Sequence, residues 1–295
     1  MLIRHRKGAF KMGQNRSESP SLRFLYGTLP GRIILKILVS RQTSRICGAF
    51  LDSGLSRPLI KRFVRKNNID TDEYYVDDLK SFNDFFTRKI KEDRRQVDTE
   101  PSALISPCDG LLSAYRITDD TVLPVKQSSY TVSSLLGGDP IAEKYQNGIC
   151  LVFRLCVDHY HRYCYIDSGT KGDNIFIPGK LHTVRPIALE KHPVFVENCR
   201  EYTVVKTDNF GDIVQMEVGA MLVGKIKNHH GVKKVKRGEE KGMFLYGGST
   251  VIVLLENGKA RLSEEVFIAA QNSAEIPVKM GQKIGEKQEN ILDRF

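Results

Sequence analysis

Two patterns of apolar positions divide the chain. Between residues 21 and 70, apolar residues sit among basic ones at helical spacing. The stretch from Arg32 to Phe50 carries Lys36, Arg41 and Arg45, and LSRPLIKRFVRKNN adds Arg57, Lys61, Arg62, Arg65 and Lys66. Such a pattern predicts amphipathic basic helices, which either cover a core or lie in the interface of an anionic membrane. A partly acidic stretch follows, TDEYYVDDLKSFNDFFTRKIKEDRRQVD, and its tail from Asn83 reads as a helix. From Leu104 the character changes. Short β-rich runs (LLSAYRI, VLPVKQ, CLVFRLCV, YCYID, NIFIPGKLHTV, EYTVVKT, DIVQMEVGAMLVGKI, MFLY, STVIVLLE) alternate with Gly, Asn and Asp turn signals. The regular alternation of strand and helix that a parallel sheet requires is missing. The predicted fold class is therefore α+β, with N-terminal amphipathic helices on a mainly antiparallel β core. The expected division is a disordered basic tail (1–20), a helical membrane-associating region (21–100) and a β-rich catalytic core (101–295).

Charge narrows the choice of partners. The net charge is +10 over 295 residues, which favours an anionic surface or substrate over a neutral one. No nucleic-acid motif accompanies it, so no nucleic-acid partner is expected. No apolar run approaches the roughly 20 residues of a membrane-spanning helix; Ile33 to Val39 is short and interrupted by Lys36. The basic N-terminus lacks the apolar segment of a secretory signal. Six cysteines (47, 108, 150, 156, 164 and 199) include no CxxC pair, which fits a reduced protein on the cytoplasmic side.

Three stretches carry candidate chemistry. In SPCDG, Asp109 stands in a turn before a strand, where an Asp ordinarily bonds its own backbone. In RLCVDHYHRYCYIDSG, a strand continued from Leu151 puts Phe153, Leu155, Val157, His159 and His161 on one face. Arg154, Asp158, Arg162 and Cys164 then take the other. Two histidines two apart suit acid–base work or a metal, but no third ligand has an evident spacing, so no metal is expected. In MFLYGGSTVIVLLE, Gly247 and Gly248 break an apolar run just before Ser249. This is either a hairpin or bulge, or a permissive junction at which the Ser249 hydroxyl reaches the preceding carbonyl.

Together with SFNDFFTRKIK, ISPCDG, GKLHTVRPIAL, NCREYTVVKTDNFGDIVQMEVGAMLVGKI and KRGEEKGMFLYGGSTVIVL, these blocks resemble the phosphatidylserine decarboxylase family over nearly the whole chain. The resemblance implies a proenzyme cut between Gly248 and Ser249 into a β chain (1–248) and an α chain (249–295). Ser249 becomes a covalent pyruvoyl cofactor, and substrate amine condenses with it as a Schiff base before CO2 leaves and phosphatidylethanolamine is released. It implies phosphatidylserine in an anionic membrane as substrate, peripheral attachment to the cytoplasmic side of the cell membrane, and a homodimer. The family's processing Asp and Ser match Asp109 and Ser249. The family's histidine pattern commonly reads D-Y-H-R-x-H. Here the first histidine matches His161, the second aligns with Cys164, and His159 replaces the aspartate beside Asp158. His161 is therefore the expected base, with Cys164, His159 and Asp158 as supporting candidates. The alternative is a non-processing paralogue acting as a basic module on anionic membranes; a relative acting on another serine lipid or a free amino acid is a further option.

Overall fold

The computed structural model describes residues 20–118, 123–125, 128–183, 188, 194–220, 225–246 and 249–288. Residues 1–19 of the expected tail and Gly248 of the expected cleavage site lie outside them.

Four helices come first: α1 (Pro20–Gly27), α2 (Leu29–Leu38), α3 (Arg41–Asp52) and α4 (Pro58–Asn67). The segment read as one amphipathic run from Arg32 to Phe50 is two helices. Ser40 divides it, because its side chain caps α3 by accepting the Thr43 N–H at 3.2 Å. Thr28 caps α2 in the same way through the Gly31 N–H. Gly31 lets α1 and α2 meet, since a Cβ there would lie 2.0 Å from the Phe24 carbonyl oxygen.

The rest is β-rich. A short pair, β1 (Tyr74–Tyr75) and β2 (Lys89–Ile90), brackets α5 (Phe82–Phe86). Then follow β3 (Ala103–Ile105), β4 (Gly110–Arg116), the hairpin β5 (Leu123–Val125) and β6 (Ser128–Tyr130), α6 (Val132–Leu135), β7 (Ile149–Leu155), β8 (Arg162–Cys164), β9 (Gly169–Lys171) and β10 (Ile175–Ile177). After α7 (Val194–Glu197) come β11 (Arg200–Thr207), β12 (Asp212–Val218), β13 (Ile226–Asn228), β14 (Lys233–Val235), β15 (Glu240–Phe244), β16 (Ser249–Leu255) and β17 (Ala260–Leu262). The described chain ends with α8 (Glu264–Gln271), β18 (Ile276–Val278) and β19 (Lys283–Lys287). The main sheet runs β14-β9-β11-β12-β16-β7-β4-β18, with β10 added at β11, and its pairings are antiparallel. Two three-stranded sheets, β13-β15-β8 and β17-β19-β3, complete the core. The class is α+β, as expected.

The sheet is covered on both faces, which is why STVIVLL reads as one apolar run rather than an alternation. Ile252 and Leu254 join Val152, Val214, Met216 and Val218 in one cluster with Tyr26 and Leu35 of the N-terminal helices. Val251, Val253 and Leu255 face the other cluster, with Phe153, Leu155, Tyr163 and Phe244. No helix among the described residues is long and apolar enough to cross a membrane.

The helix expected from Asn83 stops after one turn. The Thr87 N–H and hydroxyl both bond the Asn83 carbonyl, and Arg88 is drawn inward under the Tyr74 ring at 4.1 Å. Helix α8 had no counterpart in the sequence reading, although Ser263 followed by Glu264 and Glu265 is an N-terminal helix signal.

One buried ion pair joins the small sheet β13-β15-β8 to the main one. Glu217 stands opposite Val251, so its side chain enters the second face. There Lys241 Nζ donates to its carboxylate at 2.5 Å, and both side chains are fully buried. Asn228 donates to Glu217 and accepts from Lys241 and from the Tyr163 hydroxyl. Burial raises the Glu217 carboxyl above the usual carboxylate range, against the opposing pull of Lys241. Breaking such a pair from one side strands a charge. Glu217→Gln is expected to lower the unfolding free energy by about 3–5 kcal/mol. The double change Glu217→Leu with Lys241→Met is expected to recover part of that loss. Equilibrium urea unfolding in a Ser249→Ala background checks both; equal losses in the two variants would rule out the stranded charge as the cause.

Candidate active site

Ser249 is the first residue of β16 and is fully buried. It pairs with Leu155, the last residue of β7. Its Oγ has no hydrogen-bond partner among the described residues. A buried hydroxyl left unsatisfied costs about 1–3 kcal/mol, and the Thr250 Oγ1 next to it shares that condition.

The chain leaving β7 does not continue as a strand. It turns at once: the His159 N–H bonds the Cys156 carbonyl at 3.0 Å, and the Cys156 N–H bonds Nδ1 of His159 at 3.1 Å. The alternation expected from Leu151 holds through Leu155, with Leu151, Phe153 and Leu155 in one cluster, and ends there. His159 and His161 do not share a strand face, because a side-chain-to-backbone bond closes a turn at residue 156. His161 emerges from the turn, fully buried, just before β8. Its carbonyl accepts the Phe244 N–H at 2.9 Å, which ties it to the end of β15. Thus the connection from β7 to β8 and the connection from β15 to β16 meet at one end of the core, bringing His161 to the same end as Ser249.

The His161 ring is fixed on two sides. Nδ1 lies 2.9 Å from the His159 carbonyl oxygen. A carbonyl only accepts, so Nδ1 carries the proton in the neutral ring and Nε2 presents the lone pair. Phe86 packs on the ring with centroids 4.0 Å apart. Phe86 in turn meets Tyr246 edge-on at 5.3 Å, and Phe82 meets Tyr246 at 5.0 Å. The Tyr246 N–H donates to Asn83 Oδ1 at 3.1 Å, while Asn83 Nδ2 reaches Asp52 of α3 at 2.6 Å. Helix α5 therefore braces the segment just before Ser249.

Asp109 lies in the turn that the SPCDG motif predicts, buried immediately before β4. Its partners are not those of an ordinary turn aspartate. Arg95 clamps it with a two-pronged bond, Nε to Oδ1 at 3.0 Å and Nη2 to Oδ2 at 2.7 Å. The Met280 N–H adds a third bond at 2.9 Å. Arg95 also bonds Glu73 at 3.2 Å. Burial works against the Arg95 cation, and the Asp109 and Glu73 carboxylates more than reverse that, holding it above its ordinary range. The turn reaches β8 through the Cys164 N–H, which donates to the Pro107 carbonyl at 2.9 Å.

Cys164 is buried beside this turn. Burial pushes its thiol up to about 12, the opposite direction from what a base near neutrality needs. Asp158 and His159 lie on the turn that precedes His161, where the Asp158 carbonyl accepts from Arg88 at 3.4 Å. Among the other histidines, His182 is a structural group: buried, its Nδ1 is 3.3 Å from the Tyr26 hydroxyl and its Nε2 is 3.4 Å from Glu197.

Sequence reasoning missed Arg95, Glu73, Asn83, Phe86 and Tyr246. Four of the five lie in the stretch from Glu73 to Arg95 that was read as an acidic segment with a helical tail. The buried Phe82, Phe85 and Phe86 were the available signal, since three aromatics in one short turn need a wall to pack on.

Residues 82–286 match the family model for phosphatidylserine decarboxylase. The chain is 46% identical over 266 residues to phosphatidylserine decarboxylase proenzyme 2 of Clostridium acetobutylicum, covering 90% of this chain and 91% of that one. It is 43% identical to the phosphatidylserine decarboxylase proenzyme of Clostridium tetani, covering 83% and 84%, and 40% identical to that of Ruminiclostridium cellulolyticum, covering 92% of each. With a match of this length, and with the serine, histidine and aspartate blocks at one end of the core, the chain belongs to the phosphatidylserine decarboxylase family.

Proposed function

We propose that this chain is made as a proenzyme, cuts itself between Gly248 and Ser249, and then decarboxylates phosphatidylserine to phosphatidylethanolamine. The observation that carries the reading is the buried Ser249 Oγ, without a hydrogen-bond partner among the described residues, at the head of the central strand. A pyruvoyl group fits that place. It forms from the serine itself, and the six following residues of β16 keep their pairing with β7 whatever residue 249 becomes. Such a group supplies a ketone and a conjugated carbonyl, the electron sink for loss of CO2 from an amine-bearing carbon.

The chain's own residues supply the rest. His161, with its proton held at Nδ1 by the His159 carbonyl, takes the Ser249 hydroxyl proton on Nε2. Phe86, backed by Tyr246, covers that ring. Asp109 places a carboxylate at the same end of the core, and Arg95 and the Met280 amide fix its orientation. Cys164 stays a thiol and packs rather than reacts.

The substrate is a lipid headgroup, and the outer surface of α2 and α3 suits a bilayer. Leu29, Ile33 and Ile37 are 63–76% exposed at every fourth position of α2, and Ile46 is 72% exposed on α3. Arg32, Lys36 and Arg45 stand on the same helices. Apolar side chains that enter the headgroup layer, ringed by cations that attract anionic lipid, describe peripheral attachment. We place it on the cytoplasmic side.

Intact-mass spectrometry tests the cut. Wild type is expected as two chains, 1–248 and a second beginning at a blocked residue 249. Ser249→Ala is expected uncut, and His161→Ala cut at least about a hundredfold more slowly. A single stable wild-type chain would defeat the decarboxylase reading and favour a non-processing membrane-binding paralogue. Because burial pushes the Cys164 thiol up to about 12, Cys164→Ser is expected to leave the pH profile of cleavage unchanged between about pH 6 and 9; a shifted alkaline limb would assign it a proton-transfer role. Flotation with phosphatidylserine vesicles tests the surface: Ile33→Asp with Ile37→Asp is expected to weaken binding at least about tenfold, and unchanged flotation would remove α2 from the docking face.

A further inference from the structure

The turn between β7 and His161 gathers three donors that the proposed reaction does not use. The Cys156 sulfur, an Asp158 carboxylate oxygen and a His159 ring nitrogen all lie within 4.8 Å of one another, and all three residues are half-buried. We propose that this turn binds a borderline divalent transition metal, with Zn2+ the ion that its donors suit best. Thiolate, imidazole and carboxylate are the three ligand types of protein zinc sites, and three of them leave a fourth position for water.

The surroundings support this assignment. Arg154 Nη1 lies 3.5 Å from the Cys156 sulfur, a contact that favours the thiolate a metal needs. The guanidinium's own charge is met by Glu275, which takes its Nε at 2.9 Å and its Nη2 at 2.5 Å. A Cys156 thiolate and the Asp158 and Glu275 carboxylates against Arg154 and Arg88 leave a local charge of about −1, which still attracts a cation. The backbone of the turn is already closed by the His159-to-Cys156 bond, and Arg88 holds the Asp158 carbonyl. The donors thus lie close together before a metal arrives. Coordination through Nδ1 of His159 gives up the bond from the Cys156 N–H, which weakens the hold on the ion.

The same turn sets His161. The His159 carbonyl is the acceptor that fixes the Nδ1 proton of His161. A metal on Nδ1 of His159 breaks the bond that closes the turn, and the carbonyl that holds the His161 proton belongs to the same residue. The site is therefore a brake: bound metal slows the proton transfer assigned to His161. This second half rests on the proposed role of His161; the binding itself does not.

The two halves are tested separately. First, Co2+ is titrated into the purified Ser249→Ala chain, where neither cleavage nor decarboxylation enters the measurement. The expected result is a near-ultraviolet thiolate-to-cobalt charge-transfer band that saturates at one ion per chain and is displaced by Zn2+. The band is expected to vanish in Cys156→Ser and to need at least about tenfold more Co2+ in Asp158→Asn or His159→Ala. No band, or a band that survives Cys156→Ser, overturns the metal site. Second, Zn2+ is added to the wild-type chain during cleavage. Slowing over the concentration range in which Zn2+ displaces Co2+, relieved in Cys156→Ser, supports the brake. Binding with an unchanged cleavage rate overturns the brake while the metal site stands.

Discussion

The structure depends on the burial of β16 between β12 and β7. All seven of its residues are buried. Its neighbours pair with it rung by rung, from Val218 opposite Thr250 to Val214 opposite Leu254 on one side, and from Leu155 opposite Ser249 to Ile149 opposite Leu255 on the other. A strand held on both edges and covered on both faces cannot shift register without turning its apolar side chains to the wrong layer. Ser249 begins the strand and pairs with Leu155 of β7, so it takes its place from the register of the residues that follow. The loops at that end need only bring His161 and Asp109 to a point that already exists.

How much of this was legible follows from which forces sequence patterns record. The apolar run from Val251 to Leu255, the Asp109 turn and the glycine pair before Ser249 are local, so the order of residues announces them. The N-terminal helices were legible for the same reason. The brace on the site was not, because it is made of single contacts between distant residues. Asn83 meets Tyr246 across 163 positions, and Arg95 meets Asp109 around an intervening turn and strand. Nothing in the spacing of EDRRQVD marks Arg95 rather than Arg94 as the buried partner. The strand that was expected to carry both histidines failed on one bond, from the Cys156 N–H to the His159 ring. Alternation describes side chains that stand clear of the backbone, and it does not anticipate one that caps it.

Arg95 and Lys241 play contrasting parts. Each is a cation withdrawn from water and held by a carboxylate. Arg95 lies in the turn region that fixes Asp109, where its planar fork sets the direction of that carboxylate. Lys241 lies inside the core, where it joins two sheets and orders Asn228 and Tyr163 around it. The first orients the site, and the second keeps the layer beneath it from sliding. Both are arranged so that no buried charge is left alone.

The position of Ser249 at the head of β16 also decides what the proposed cut would leave. Beyond the junction the chain does not fold apart as a separate lobe. It supplies the central strand β16, then β17 and β19, which join β3, and β18, which extends the main sheet at β4. A chain severed before Ser249 is thus two interleaved polypeptides sharing one hydrophobic interior. The shorter one has no surface along which it could peel away without dismantling the sheet. The proposed cut would remove one covalent bond and leave the two pieces joined by strand pairings laid down before it.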